Sequence, residues 1–310
     1  MKRFPVVTTA CVSLLALAVG ACGGGEAEWR GTVRDSAGIT IVSNAGGGLW
    51  GAGEAWTVEP DLLIGTAEGD PDYQFGQIAG LDVDDEGRIY VLDQQARQVR
   101  VFDAGGRFVR SVGRAGSGPG ELSQTAGPLF AGPDGTILVP DIMNQRINLY
   151  SVDGEPAGSV PLAMTDGVPV RWLKTASHEL VQQSMLMAVP GMTVEPKNLL
   201  LRRDLRGAVL DTLLIMEPGE SLDFASAQPR IRIFSREPAW GLTRDDRLIH
   251  GFSDRYRLHI LAPDGSLARI VEMEGALRPV TARDEAAFRR VFRRMWQEAG
   301  IPAEVIDMQM

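Results

Sequence analysis

Few side chains in these 310 residues are of the kinds that make or break bonds, and their spacing is poor for it. His178, His250, His259, Cys11 and Cys22 are scattered, without the short paired intervals by which a chain presents ligands to a metal. Gly113 to Gly120 (GRAGSGPG) has the glycine content of a phosphate-cradling loop. Such a loop works through free amides at a helix N-terminus, whereas here Pro119 and a further strand follow, with no Lys-Ser/Thr pair. Ser117 has Ala115 two places before it, so it sits in no G-x-S-x-G elbow. The sequence therefore predicts no catalytic residue, no metal site and no cofactor. What remains is chemistry of recognition. Gln94, Gln95, Asn144 and Gln145 offer neutral hydrogen-bonding groups suited to peptide or glycan, and Trp172 and Trp240 offer ring faces that could stack on a ligand. These six are the candidate ligand-binding residues. Beside them, Asp93 and Asp141 read as turn carboxylates accepting backbone amides, with Arg97 and Arg146 bracing the loops.

The elements that must position these residues come from an internal repeat. Residues 80–122 hold short apolar runs with period-2 alternation (RIYVL, QVRVF, RFVRSV) between EG and GG turns, the pattern of strands. Residues 128–162 repeat the plan: Gly87 maps to Gly135, Asp93 to Asp141, Phe102 to Tyr150 and Gly106 to Gly154, each a step of 48 residues. A third, diverged copy has its inner strand near Val170 to Lys174, a turn at Ser177-His178 and a hairpin at Asp204 to Gly207. A fourth runs from Ala239 to Met273 with its turn at Asp264-Gly265. Four antiparallel strands per repeat make the unit of a β-propeller blade, which buries its faces only against neighbouring blades.

The runs G-x-I-Y-V-x-D-x5-V-x-V-F-D-x2-G and G-R-x-G-x-G-P-G-E-L, at 87–106 and 113–122, resemble NHL-repeat propellers of the six-bladed, TolB-like superfamily. The resemblance covers most of residues 54–275, is strong in the first two copies and implies an all-β propeller fold. It implies little chemistry, since that superfamily hosts many functions. Propeller enzymes of lactonase or lyase type hold a divalent cation with acids or histidines on the innermost strands. Of the corresponding segments here (81–83, 129–131, 171–173 and 241–243) only one contributes an acid, Asp82. A non-catalytic binding or scaffolding module is the expected function, with the cation-dependent enzyme as its alternative.

The two ends of the chain supply an address and a puzzle. Lys2 and Arg3, the apolar stretch Val6 to Val19 and the small residues before Cys22 form an export signal. It resembles the lipobox of bacterial lipoproteins, which implies an acylated Cys22 as the first mature residue and a cell-envelope location outside the cytoplasm. The expected organisation is a signal peptide at 1–21, a lipid-anchored tether at 22–53, propeller blades at 54–275 and a helical segment at 276–310. Removing Lys2 and Arg3 lowers the net charge from −9 to −11. Such a body carries no basic footprint for nucleic acid, and anionic lipid surfaces should repel it. Trp56 to Gly65 reads as an isolated outer strand. Thr281 to Ala299 reads as a helix capped by Thr281 and Asp284, with Phe288, Val291, Phe292 and Met295 on one face and Arg289, Arg290, Arg293 and Arg294 on the other. No inner strands follow Val271 to pair with the strand at 56–65, so the expectation is an incomplete ring, truncated relative to a six-bladed parent.

Overall fold

The computed structural model describes residues 29–45, 56–124, 126–187, 195–223, 230–273, 275 and 278–309. Residues 31–45 and 58–309 of these make one compact unit; the described residues of the other, 29–30 and 56–57, hold no helix or strand.

In the compact unit, the hairpin β1 (Gly31–Ser36) and β2 (Ile39–Asn44) precedes β3 (Ile78–Val83), β4 (Ile89–Asp93), β5 (Gln98–Phe102) and β6 (Phe108–Val112), which form the first four-stranded antiparallel sheet in sequential order. A connector holding the short parallel pair β7 (Arg114–Ala115) and β8 (Glu121–Leu122) leads to the second sheet, β9 (Phe130–Ala131), β10 (Ile137–Asp141), β11 (Arg146–Tyr150) and β12 (Pro156–Pro161). The third is β13 (Val168–Lys174), β14 (Leu180–Leu186), β15 (Lys197–Arg203) and β16 (Val209–Met216). After the short pair β17 (Leu222–Asp223) and β18 (Arg230–Ile231) comes the fourth sheet: β19 (Pro238–Leu242), β20 (Leu248–Phe252), β21 (Arg257–Leu261) and β22 (Leu267–Met273). Helices α1 (Ala282–Glu298) and α2 (Ala303–Gln309) follow.

The turns explain the repeat. Asp84 accepts hydrogen bonds from the amides of Glu86 and Arg88, Asp103 from Gly105 and Arg107, and Asp204 from Arg206 and Ala208. Gly87, Gly106 and Gly207 then take φ of 78°, 80° and 85°, a region that costs a residue without Cβ nothing.

The two interior sheets alternate their apolar residues between two neighbours, and the outer two pack on one. Tyr90, Leu92, Val99 and Val101 meet Ile137, Val139 and Tyr150 between the first and second sheets. Phe130, Leu138 and Ile147 meet Trp172 and Leu180 between the second and third. Val181, Leu200 and Met216 meet Trp240, Leu248 and Leu261 between the third and fourth. Among the described residues no core cluster joins the fourth sheet to the first. The far face of the first sheet is covered locally instead, where Tyr73 and Phe75 lie 5.6 and 6.1 Å from the ring of the fully buried Phe102.

Two expectations change. Residues 56–65 form no strand. Within that segment, Leu62 and Ile64 lie against Gly106 of the first blade. The segment that does join a sheet is 31–44, read above as tether. β2 pairs in parallel with β22, Ile41 opposite Ile270, both buried, and makes the fourth sheet six-stranded. Ser43 donates to the Glu272 carboxylate at 2.9 Å across this seam. The C-terminal helix is present at 282–298, with the Thr281–Asp284 capping box in place.

Candidate functional site

The innermost strands carry one acid, and its bonds define what the axis of the molecule can do. Asp82 on β3 accepts from Lys174 Nζ on β13 at 2.5 Å and from the Ala131 amide on β9 at 2.8 Å, while Lys174 Nζ also donates to the Ala131 carbonyl at 3.0 Å. One carboxylate and one ammonium thus tie three consecutive inner strands together. Both side chains are mostly buried, and the charge that a bound cation would need is already neutralised. Near this strut, His178 Nε2 of the third blade lies 3.4 Å from Asp85 of the first. Among the described residues no three His, Cys, Asp or Glu side chains are grouped to hold a metal ion.

Asp93 and Asp141 are spent inside the fold as well. Asp93 accepts from the amides of Gly76, Gln77, Gln95 and Ala96 and from Arg100 Nη1 at 2.9 Å. Burial pushes its carboxyl up, but these donors outweigh burial and hold it below the usual range. The bracing arginine is Arg100, buried beside it on β5, in place of the expected Arg97, which stands at φ 55° in the turn. Asp141 accepts from the amides of Ser123 and Asn144. Arg146, expected to brace the Asp141 loop, braces the preceding connector, donating to the carbonyls of Gly118 and Glu121. Each aspartate staples the entering chain to the end of its own blade.

The six candidate binding residues divide accordingly. Gln95 and Gln145 are exposed on the β4–β5 and β10–β11 turns. Gln94 Nε2 donates to the Ala126 carbonyl at 3.4 Å, and Asn144 Nδ2 to Asp141 and the Gly116 carbonyl. Trp172 and Trp240, assigned above to a stacking platform, are buried between blades. Phe130 and Arg203 lie against the first ring; Arg171 covers the second, whose Nε1 donates to Gln183 at 2.7 Å. Core packing takes these rings because an inner strand is where neighbouring blades come closest.

The structure adds a cleft that sequence reasoning missed. Between the third and fourth blades lies a hollow of about 280 Å³, open to solvent, with a floor that includes Val181, Leu242, Leu248 and Leu261. Its rim holds Glu179, Arg202, Asp245 and Asp246. Asp246 takes the amides of Ala176 and Ser177, so it joins the two blades. Arg202 is paired with Asp211 at 2.6 Å and Glu179 at 3.5 Å. On the remaining rim Asp245 is exposed: it accepts from the Thr243 hydroxyl and pairs at the surface with Arg247 at 2.7 Å, and both hold it ionised. An apolar floor under an acidic rim suits a ligand with an apolar stem and a cationic head. Asp245 and Asp246 stand out in the sequence only as turn residues, since the cleft exists only where two repeats meet.

On the fourth blade, half-buried His250 and His259 face each other across β20 and β21, ring centroids 5.0 Å apart. Burial, and next the neighbouring His259, push the His250 imidazole down to about 4; burial, and next Arg257, lower His259 as well.

Four-stranded antiparallel sheets, stacked face to face in sequence with their first strands innermost, define a β-propeller. A family model described as a 6-bladed beta-propeller matches residues 68–170, the first two blades. No curated protein matches the chain. Among solved structures the chain is similar to a candidate exported protein of Bacteroides fragilis, at 14% identity and a TM-score of 0.46, covering 77% of this chain and 62% of that one. It is also similar to a streptogramin B lyase, at 13% identity and a TM-score of 0.35, covering 61% of this chain and 53% of the other. A virginiamycin B lyase of Staphylococcus aureus, crystallised with quinupristin, gives 11% identity and a TM-score of 0.35, covering 64% and 71%. The chain spans less than two thirds of the length of the first two of these structures.

Proposed function

We propose that this chain is a lipid-anchored, extracytoplasmic propeller of the NHL-repeat kind that acts as a non-catalytic binding module, its ligand a peptide or protein segment presenting a lysine or arginine. The observation that carries the reading is the contrast between two parts of the molecule. The one carboxylate placed where propeller chemistry would need it, Asp82, and the turn carboxylates Asp93 and Asp141 are all saturated by donors of the chain itself. The cleft between the third and fourth blades instead keeps an apolar floor open, and the acid on its rim that faces solvent, Asp245, is held by an exposed pair with Arg247, which is worth little. The (CH₂) stem of a lysine or arginine would lie on the leucines, and its charge would reach Asp245.

Titration of the purified chain with basic and neutral peptides, read by calorimetry, tests this. Basic peptides should bind, and Asp245→Lys or Ala262→Trp, which reverse the rim charge and fill the hollow, should weaken them about tenfold or more. Equal binding by both variants removes the cleft from the function. The anchor is tested separately: the parent should enter the detergent phase and Cys22→Ser should leave it, because acyl methylenes bury about 0.8 kcal/mol each.

A further inference from the structure

We propose that α1 is a second, reversible membrane contact that lies along an anionic lipid surface. The inference is independent of acylation at Cys22. It rests on a helix whose composition and burial do not match. Over 17 residues α1 holds Phe288, Val291, Phe292, Met295 and Trp296, yet none of its residues is buried. Phe288, Phe292 and Trp296 stack along the helix on one another, and Phe288 touches Phe234 with ring centroids 5.9 Å apart. Val291, Met295 and Phe234 remain 61%, 51% and 54% exposed, a contiguous apolar strip with water on it. An amphipathic helix in a soluble body normally hides this stripe.

Charge identifies what covers it. α1 contains Arg283, Arg289, Arg290, Arg293 and Arg294 against Asp284, Glu285 and Glu298, so it is net positive in a chain of net −9. Arg289 with Arg293, and Arg290 with Arg294, are like-charge pairs at the i,i+4 spacing, which cost an isolated helix a few tenths of a kcal/mol each. Asp307 of α2 relieves Arg293 at 2.7 Å, while Glu298 comes only within 3.8 Å of Arg294. Arg290 and Arg294 flank the exposed Val291 and Met295 on the helix circumference, the arrangement that places methylenes and rings among acyl chains and guanidinium groups among phosphates. Among the described residues no helix is long and apolar enough to cross a membrane.

The acidic body does not forbid the contact. At physiological ionic strength the Debye length is about 8 Å, so the lipid surface feels the few charges next to it rather than the sum over the chain. The repulsion expected from net charge alone is thus local, and the locality that matters here is basic.

A nitroxide placed at Met295→Cys, in the full chain with Cys11→Ser and Cys22→Ser, tests the proposal without any acyl group. On phosphatidylcholine vesicles containing phosphatidylglycerol, the label should gain access to oxygen and lose access to a nickel chelate. A label at Gln297→Cys, on the opposite side of the helix, should stay open to the chelate. Vesicles of phosphatidylcholine alone, or added salt, should leave both labels as in solution. Arg290→Gln with Arg294→Gln should weaken partitioning about thirtyfold, roughly fivefold for each basic residue near the surface, with unchanged circular dichroism showing the helix intact. A Met295 label that stays open to the chelate on anionic vesicles overturns the proposal. So does one already shielded without lipid, which would assign the strip to a second copy of the chain, and one immobilised by an acidic peptide but not by vesicles, which would assign it to a protein partner.

Discussion

His250 is a base whose proton affinity the fold suppresses, and that has a measurable consequence. The folded chain holds it neutral down to about pH 4, whereas the unfolded chain protonates it near 6.5. A depressed histidine therefore stabilises fully above 6.5 and loses its contribution as pH falls from there toward 4, because only the unfolded chain gains the proton in that window. The size is on the order of 2–3 kcal/mol, and His259 shifts the same way. Urea midpoints at about pH 7 and about pH 4.5 should differ in the parent and differ less in His250→Leu, where His259 remains; an equal difference in both would place the pH sensitivity elsewhere. Residue chemistry was legible in the sequence where it repeats. Asp93 and Asp141 stand at the same place in two copies, and both turn out to staple backbone amides. The histidine pair was not legible, since residues nine apart become neighbours only once the register of β20 against β21 is known. Nor was the choice of Arg100 over Arg97, which depends on which guanidinium is buried beside the carboxylate.

At the scale of elements, alternation and short Gly-containing turns placed the sheets, because each strand is held by its own pleat and several turns by a side chain of their own, Asp84, Asp103 and Asp204 or Thr175 and Thr243. The errors fell where local pattern and long-range pairing part company. Leu62 to Ile64 offer an apolar run but join no sheet: Leu62 and Ile64 lie against Gly106 of the first blade while Leu63 stays exposed. The β1–β2 hairpin has one buried residue, Ile41, so its alternation is faint and its place is set by the open edge of β22. Where blades meet, backbone rather than side chain sets the distance. A Cβ on Gly80 of β3 would stand 2.7 Å from the Leu129 amide nitrogen, which leads into β9, with no flexible side chain to yield. Gly80→Ala should therefore push the first two inner strands apart and cost about 1–3 kcal/mol, the usual range for overpacking. Gly265→Ala tests the opposite case, at a positive φ with open space around it, where any loss comes from backbone strain alone. Thermal unfolding of both distinguishes crowding from strain: a Gly80→Ala variant as stable as the parent would show that the blades can separate freely.

For the whole molecule, the question is how far stability is shared. Each interior blade contacts the next through one apolar cluster, and the described residues show three such interfaces in series with none between the fourth blade and the first. In such a stack stability approximates a sum of blade terms and nearest-neighbour terms, so damage stays near where it is made. The axis works against this, because Asp82 and Lys174 bind the first blade to the third across the second, and His178 meets Asp85 beside them. Leu261→Ala decides between the two tendencies. The side chain is buried between the third and fourth blades, and its truncation should cost about 2–5 kcal/mol. Hydrogen exchange should then lose protection in β19 to β22 and in β14 to β16, while Leu92, Val99 and Val101 of the first blade keep theirs, as partial opening in separate cooperative units requires. Equal loss in all four blades would mean that the axial ion pair transmits the damage, and adding Lys174→Met should then confine it to the third and fourth blades.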